Sequence, residues 1–374
     1  ITPLVPIITL ATVTGIANLT RYLRNDGHPL AHWLPARLKQ APSGRWYLIL
    51  AFIALLFTLG VQYESGFTPL ARNFRWPALQ AHHRLAQRFF DQIPPDASVS
   101  TQQLLNPHLT HRRQITILPF DRSGEYYLID ITRDWDMGDI FIHQWLLDNI
   151  VHAPGYGIVD AADGFMLLQR GAPQQPVPYE FYDLFRDQDA EPQFPAQIDF
   201  GDAIRFLGFD VKQSGGGNPT FDLYFQPLQD LAQDYFITLY LADASYQLRG
   251  AEEATQPALL WFPTSRWGPG DTIKIPFRHL TWDVSELETF SVALGVLDGE
   301  DVWAQEQRLK PVIHSSSQNP RLSNSDTLPH LMRFRSVDGQ IDSLPDPVLA
   351  SPPAEATPAN IAFGDVARLE GYSI

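Results

Sequence analysis

Residues Pro195–Val211 read PAQIDFGDAIRFLGFDV, and a near copy, PANIAFGDVARLEGYSI, occupies Pro358–Ile374. Eight of the 17 aligned positions are identical without a gap. A repeat of this kind marks two copies of one structural unit. We read each copy as the opening strands of a β-sandwich domain. The second copy stops where its sandwich would begin, so the chain is expected to continue past Ile374. Between the copies, strand candidates follow one another: Ile204–Val211, Thr220–Gln226, Tyr235–Ala242, Thr272–Pro276 and Phe290–Leu297. Apolar residues alternate at Phe221, Leu223 and Phe225, and again along Phe236, Thr238 and Tyr240. Turn signals at Ser214–Asn218 and Gly268–Asp271 separate the runs. Short alternating strands between turns predict a β-sandwich over 196–313.

Upstream, the pattern changes. A helix is predicted over Pro77–Ile93, with proline at its first position and Pro94-Pro95-Asp96 as its stop. Strands are predicted at Ala97–Ser100, Gln114–Pro119 and Tyr126–Ile131, an amphipathic helix at Ile140–Val151, and a hairpin turning at Ala162-Asp163-Gly164. Helices among strands predict a small α/β domain over 77–171. Residues 172–195, rich in Pro, Gln and acidic side chains, read as a linker, and the Ser/Pro-rich residues 314–357 as a second one. Residues 358–374 then start the second sandwich repeat.

Nearer the start, Ile1–Thr20 and Trp46–Tyr63 carry no charge. Trp46, Tyr47 and Tyr63 flank the second stretch as an aromatic belt. A span needs about 20 apolar residues. The expected class is therefore a multi-domain membrane protein: two transmembrane helices within 1–63, a juxtamembrane connection at 64–76, then the α/β domain and the sandwich. The loop 21–45 holds Arg21, Arg24, Arg37, Lys39 and Arg45 against Asp26, which would make it cytoplasmic and the later domains extracytoplasmic. The sequence begins inside an apolar stretch without Met or a basic lead, so it does not read as a signal peptide, and residues are expected upstream.

Composition excludes several functions. The net charge of −15 disfavours nucleic acid, whose phosphates require Lys/Arg clusters. With no cysteine, there is no disulfide, thiolate zinc site or cysteine nucleophile. No GxSxG, HExxH, Walker or dinucleotide-binding motif is present. No cofactor is implied, and no catalytic or metal residue is assigned. The Gly215–Gly217 run sits in a hairpin-like loop, not at a strand-to-helix phosphate cradle. His108 and His111, three apart in PHLTHRR, fit surface or capping histidines or a metal pair. Asp130, Asp134, Asp136 and Asp139 fit a solvated loop with Asp139 capping a helix, or a carboxylate site. Asp298, Glu300 and Asp301 fit a hairpin turn or a Ca²⁺ loop. Trp261, Trp267 and Trp282 fit core packing or stacking on a sugar ring.

The stretch IPPDASVSTQQLLNPHLTHRRQITILP, then YYLIDI and GYGIVDAADGFMLLQR, resembles the C-terminal part of an uncharacterised family of bacterial membrane proteins. That family looks like a relative of GT-C type glycosyltransferases, which use lipid-linked sugar donors. FGDAIRFLGFDV and FPTSRWGPGD resemble sandwich modules appended to such proteins in Chloroflexi-like bacteria. No residue here matches a catalytic position of the GT-C enzymes. The expected function is thus a membrane-anchored, non-catalytic binding module, with other membrane proteins or a glycan as candidate partners and a larger membrane complex as its setting. The alternative is the C-terminal region of a GT-C-like transferase.

Overall fold

The computed structural model describes residues 14, 15, 18, 43–66, 68–74, 79–132, 140–212, 218–278, 280, 282–284, 286–337, 340–346, 357–363 and 367–372. The chain forms two units, 1–80 and 81–374.

In the first unit, α1 (Ser43–Ser65) is a 23-residue helix where the second span was expected. Among the described residues, however, no helix is long and apolar enough to cross a membrane. The first expected span and most of loop 21–45 lie outside the described residues. The expectation of two transmembrane helices is therefore corrected, and the topology argument built on that loop goes with it. The chain is mostly β-sheet.

The second unit opens with α2 (Ala81–Gln92), which buries Ala86 and Phe89. Five strands make the first sheet: β1 (Val99–Thr101), β2 (Ile115–Ile117), β3 (Tyr126–Asp130), β4 (Tyr156–Ala162) and β5 (Phe165–Arg170). Their order is β2-β1-β3-β5-β4, with β1 parallel to both neighbours and the rest antiparallel. YYLI and FMLL are apolar in unbroken runs because both faces of this sheet are covered. Tyr126, Leu128 and Leu167 pack towards Phe89 of α2. Tyr127, Ile129, Met166 and Leu168 pack on the other side with Leu146 and Ile150. Those two belong to α3 (Ile140–Leu146) and the π-turn Leu147–Val151 that continues it.

The sandwich is present, and it extends further than the pattern suggested. One sheet has the order β11-β8-β7-β6-β13, from β6 (Phe194–Phe200), β7 (Ile204–Lys212), β8 (Thr220–Pro227), β11 (Ile273–Phe277) and β13 (Pro311–Ser316). The other has the order β10-β9-β12-β15-β14, with β16 also on β15. Its strands are β9 (Phe236–Asp243), β10 (Leu248–Ala251), β12 (Thr289–Leu297), β14 (Leu322–Ser323), β15 (Leu328–Val337) and β16 (Gln340–Leu344). A short helix, α4 (Pro257–Trp261), lies between β10 and β11. Inward residues meet across the sheets, as in the edge-on pair Phe221 and Phe334 at 6.0 Å. Residues 314–344, expected within a linker, supply β15, which pairs with β12 along its length. Ser is the commonest residue of that stretch, yet Leu328, Leu331, Met332 and Phe334 are buried.

Residues 172–195 are likewise a packed strap. Within them, the 3₁₀ turn Tyr179–Phe185 buries Phe181, Tyr182 and Phe185. Phe181 lies 5.6 Å from Trp261, and Tyr182 stacks on Phe262 at 4.4 Å. The same turn accepts backbone bonds from Asp163 and Gly164 at the β4–β5 tip. One core therefore runs from the first sheet into the sandwich.

The repeat is written in the backbone register. The final hairpin, β17 (Thr357–Phe363) and β18 (Ala367–Tyr372), pairs Phe363 with Ala367, Ile361 with Leu369 and Pro358 with Gly371. The β6–β7 hairpin pairs Phe200 with Ile204, Ile198 with Phe206 and Pro195 with Gly208. The pairing slips at the same place in both, between Pro195/Ile198 and Pro358/Ile361. Gly208 makes the slip possible: its φ is +131°, and a Cβ there would sit 2.4 Å from the Phe194 carbonyl oxygen. Gly208→Ala should destabilise the second unit by about 2–3 kcal/mol. Gly155→Ala, at φ +79° in open space, should cost about 1 kcal/mol. Denaturant unfolding followed by circular dichroism measures both; equal losses would contradict the steric account.

Candidate functional site

The carboxyl edge of the first sheet brings together a histidine and two aspartates. His82 stands in the first turn of α2, Asp130 ends β3, and Asp163 sits at the β4–β5 tip with φ +46°. His82 Nδ1 lies 2.7 Å from Asp163 Oδ2, and its Nε2 lies 3.2 Å from Asp130 Oδ2. The imidazole stacks on Phe165 at 4.3 Å. Asp130 Oδ1 also accepts from the Thr132 hydroxyl at 2.6 Å and the Thr132 amide at 2.9 Å. Gln102 clasps the Asp130 backbone from both sides, donating to its carbonyl and accepting from its amide. Burial opposes the charged imidazolium, but the hydrogen bonds and charges of Asp130 and Asp163 outweigh it and raise the His82 pKa to about 9. Both ring nitrogens are engaged by different carboxylates, so this is a charged latch.

A second cluster, on the outer face of the sandwich, is closed in the same way. Asp222 on β8 is buried, with Lys274 Nζ at 3.0 Å, Lys212 Nζ at 3.6 Å and the Arg278 guanidinium in contact. Burial would raise this carboxyl, but the charges of Arg278 and Lys274 hold it below the usual carboxylate range.

A cleft with a different character lies between the end of the π-turn, β4, the strap and the loop at Arg266. Val151, Ile158, Pro176 and Val177 supply apolar wall, and His152, Gln174, Gln175 and Arg266 supply polar groups. His152, Gln174 and Gln175 have no side-chain hydrogen bond among the described residues, whereas Arg266 donates to the Tyr182 hydroxyl at 2.5 Å. Gly157 lets the strap close on β4, since a Cβ there would sit 2.2 Å from the Pro173 carbonyl oxygen.

The residues singled out from sequence are dispersed. Trp261, Trp267 and Trp282 are buried, offering no stacking face to solvent. Trp261 donates to His143 Nδ1 at 3.0 Å and Trp267 to the Phe262 carbonyl at 3.0 Å. His108 stacks on Phe90 at 5.4 Å, and both His108 and His111 are exposed. Among the described residues, no group of three or more His, Cys, Asp or Glu is arranged to hold a metal. Asp134, Asp136, Asp139 and Gly215–Gly217 lie outside the described residues. Asp301 accepts from the Trp303 amide at 3.0 Å within its turn. The latch was hidden because its members are 48 and 81 residues apart. The cleft was hidden because Gln174 and Gln175 lie in linker-like composition.

Residues 1–166 match a family model described as "Predicted membrane protein (DUF2079)". The match ends inside β5, so it takes in α1, α2, the latch residues and most of the first sheet, and leaves out the strap and the sandwich. It supports membrane association for this chain and relates its first part to an uncharacterised membrane-protein family. No curated protein matches the chain.

The latch sets a pH dependence. His82 is raised from 6.5 to about 9, so its contribution is fully present below pH 6.5 and is lost as pH rises through about 9. The loss amounts to at most about 3 kcal/mol, taking about 1.4 kcal/mol per pKa unit. His330, held neutral by burial at about 4, acts oppositely, with stability lost as pH falls from 6.5 through about 4. Urea unfolding from pH 4 to 10 should therefore show an alkaline decline that His82→Gln removes and an acid decline that it leaves in place. An unchanged alkaline limb in that variant would refute the latch.

Proposed function

We propose that the chain is a non-catalytic binding module of a membrane-associated protein, and that the cleft at His152, Gln174, Gln175 and Arg266 takes a glycan. The observation that carries this reading is the contrast between the clusters: the charged ones are internally paired, while the cleft keeps hydrogen-bonding groups uncommitted beside apolar wall. Each glutamine amide offers a donor and an acceptor side by side, which suits vicinal hydroxyls. Arg266 adds fixed donors, and Val151, Val177 and Pro176 suit the C–H face of a sugar ring. Membrane association draws on the family match and on α1, where Phe52, Leu55, Leu56 and Phe57 are exposed.

The alternative, a region of a transferase using lipid-linked sugars, draws on the family match alone. The GT-C relation and the Chloroflexi-like origin of the sandwich remain resemblances of sequence. A larger membrane complex is the setting this reading favours for such a module.

Screening the full chain against a mixed-oligosaccharide array, followed by calorimetry on the hits, tests the reading. Binding should weaken about tenfold in Gln174→Ala/Gln175→Ala and in Arg266→Ala, the loss of one or two net hydrogen bonds each. An array without hits, or hits indifferent to these substitutions, would defeat it.

A further inference from the structure

We infer that the carboxyl edge of the first sheet rests on a lipid bilayer, with Leu104 and Phe120 seated among the headgroups. β1 and β2 run parallel, with Thr101 opposite Ile117, and the Leu118 amide donates to the Thr101 carbonyl at 2.9 Å. Each strand leaves the sheet at this edge in a tight turn: Leu105 bonds back to Gln102, and Asp121 back to Ile117. Leu104 and Phe120 therefore sit at equal distances beyond paired residues, on adjoining turns. Phe120 is 90% exposed and Leu104 59% exposed, while their neighbours Leu105 and Leu118 are buried. Ile117, 37% exposed, adjoins them.

An aromatic ring left almost wholly in water at a turn beside a second exposed apolar side chain marks a surface that is covered in use. Three observations favour a bilayer as the cover. The lip belongs to the segment that matches the membrane-protein family. The chain passes into this unit at this same edge, where the first turn of α2 is held by the His82 contacts to Asp130 and Asp163. The charges nearby are balanced, since Arg122 follows Asp121 and His82 lies between Asp130 and Asp163, so the contact is apolar and gains little from anionic headgroups.

The absence of cysteine makes the test direct, because single cysteines can be placed at will. The full chain carrying L104C, F120C or V312C would be spin-labelled and reconstituted into phosphatidylcholine vesicles. Val312, 54% exposed on the edge strand β13, serves as the water-facing control. The nitroxides at 104 and 120 should collide more with lipid-dissolved oxygen than with an aqueous nickel complex, with the order reversed at 312 and no change on adding salt. Labels at 104 and 120 that behave as at 312 would overturn the inference. So would labels shielded from both reagents, which would mark a protein partner instead.

Discussion

The packing of one aromatic turn against two layers is the constraint on which the second unit depends. Phe181, Tyr182 and Phe185 come from a stretch that reads as a tether, yet they are buried between the first sheet and the sandwich. Phe181 meets Trp261, Tyr182 meets Phe262, and the backbone of the same turn ties down the β4–β5 tip. Truncating a buried phenylalanine costs about 3–5 kcal/mol. An exposed ion pair such as Arg88 with Glu180, at 3.8 Å, is worth at most about 1 kcal/mol. The aromatic contacts therefore decide whether the layers behave as one body. Function follows from the same arrangement, because the cleft exists only where the strap is held against β4.

The polar clusters follow a common logic. His82 between two aspartates and Asp222 among three cations each place charge where water is scarce, and each balances it locally. Such pairing avoids the cost of leaving any one of these charges buried alone. In the latch it sets the angle at which α2 meets the sheet. In the sandwich it closes an outer face that would otherwise leave a buried carboxylate uncompensated. Uncommitted polar groups remain in the cleft, and exposed apolar groups remain at the lip formed by Leu104 and Phe120.

Much of the sandwich was legible in the sequence, since period-two alternation at Phe221, Leu223 and Phe225 reports a half-buried strand directly. The repeat was legible too, and the shared register slip gives it a physical cause in Gly208. The strap and β15 were not legible. Pro, Gln and Ser outnumber the few aromatic and aliphatic residues that tertiary contacts bury, and composition averages those residues away. Trp261, Trp267 and Trp282 fitted either core packing or sugar stacking in the sequence, and all three are buried, Trp261 and Trp267 against residues such as His143, Phe181 and Phe225 that are remote in sequence. The first expected span lies outside the described residues, and for the second, apolar length stood in for a spanning helix, whereas no helix among the described residues is long and apolar enough to cross a membrane.

Native-state hydrogen exchange tests the central claim most directly. If the aromatic turn joins the layers, the slowest amides of β5 and β12 should open with the same free energy, and Phe181→Ala should lower both together by about 3–5 kcal/mol. Separate opening energies, or a loss confined to one sheet, would show that the layers are independent and would contradict the account.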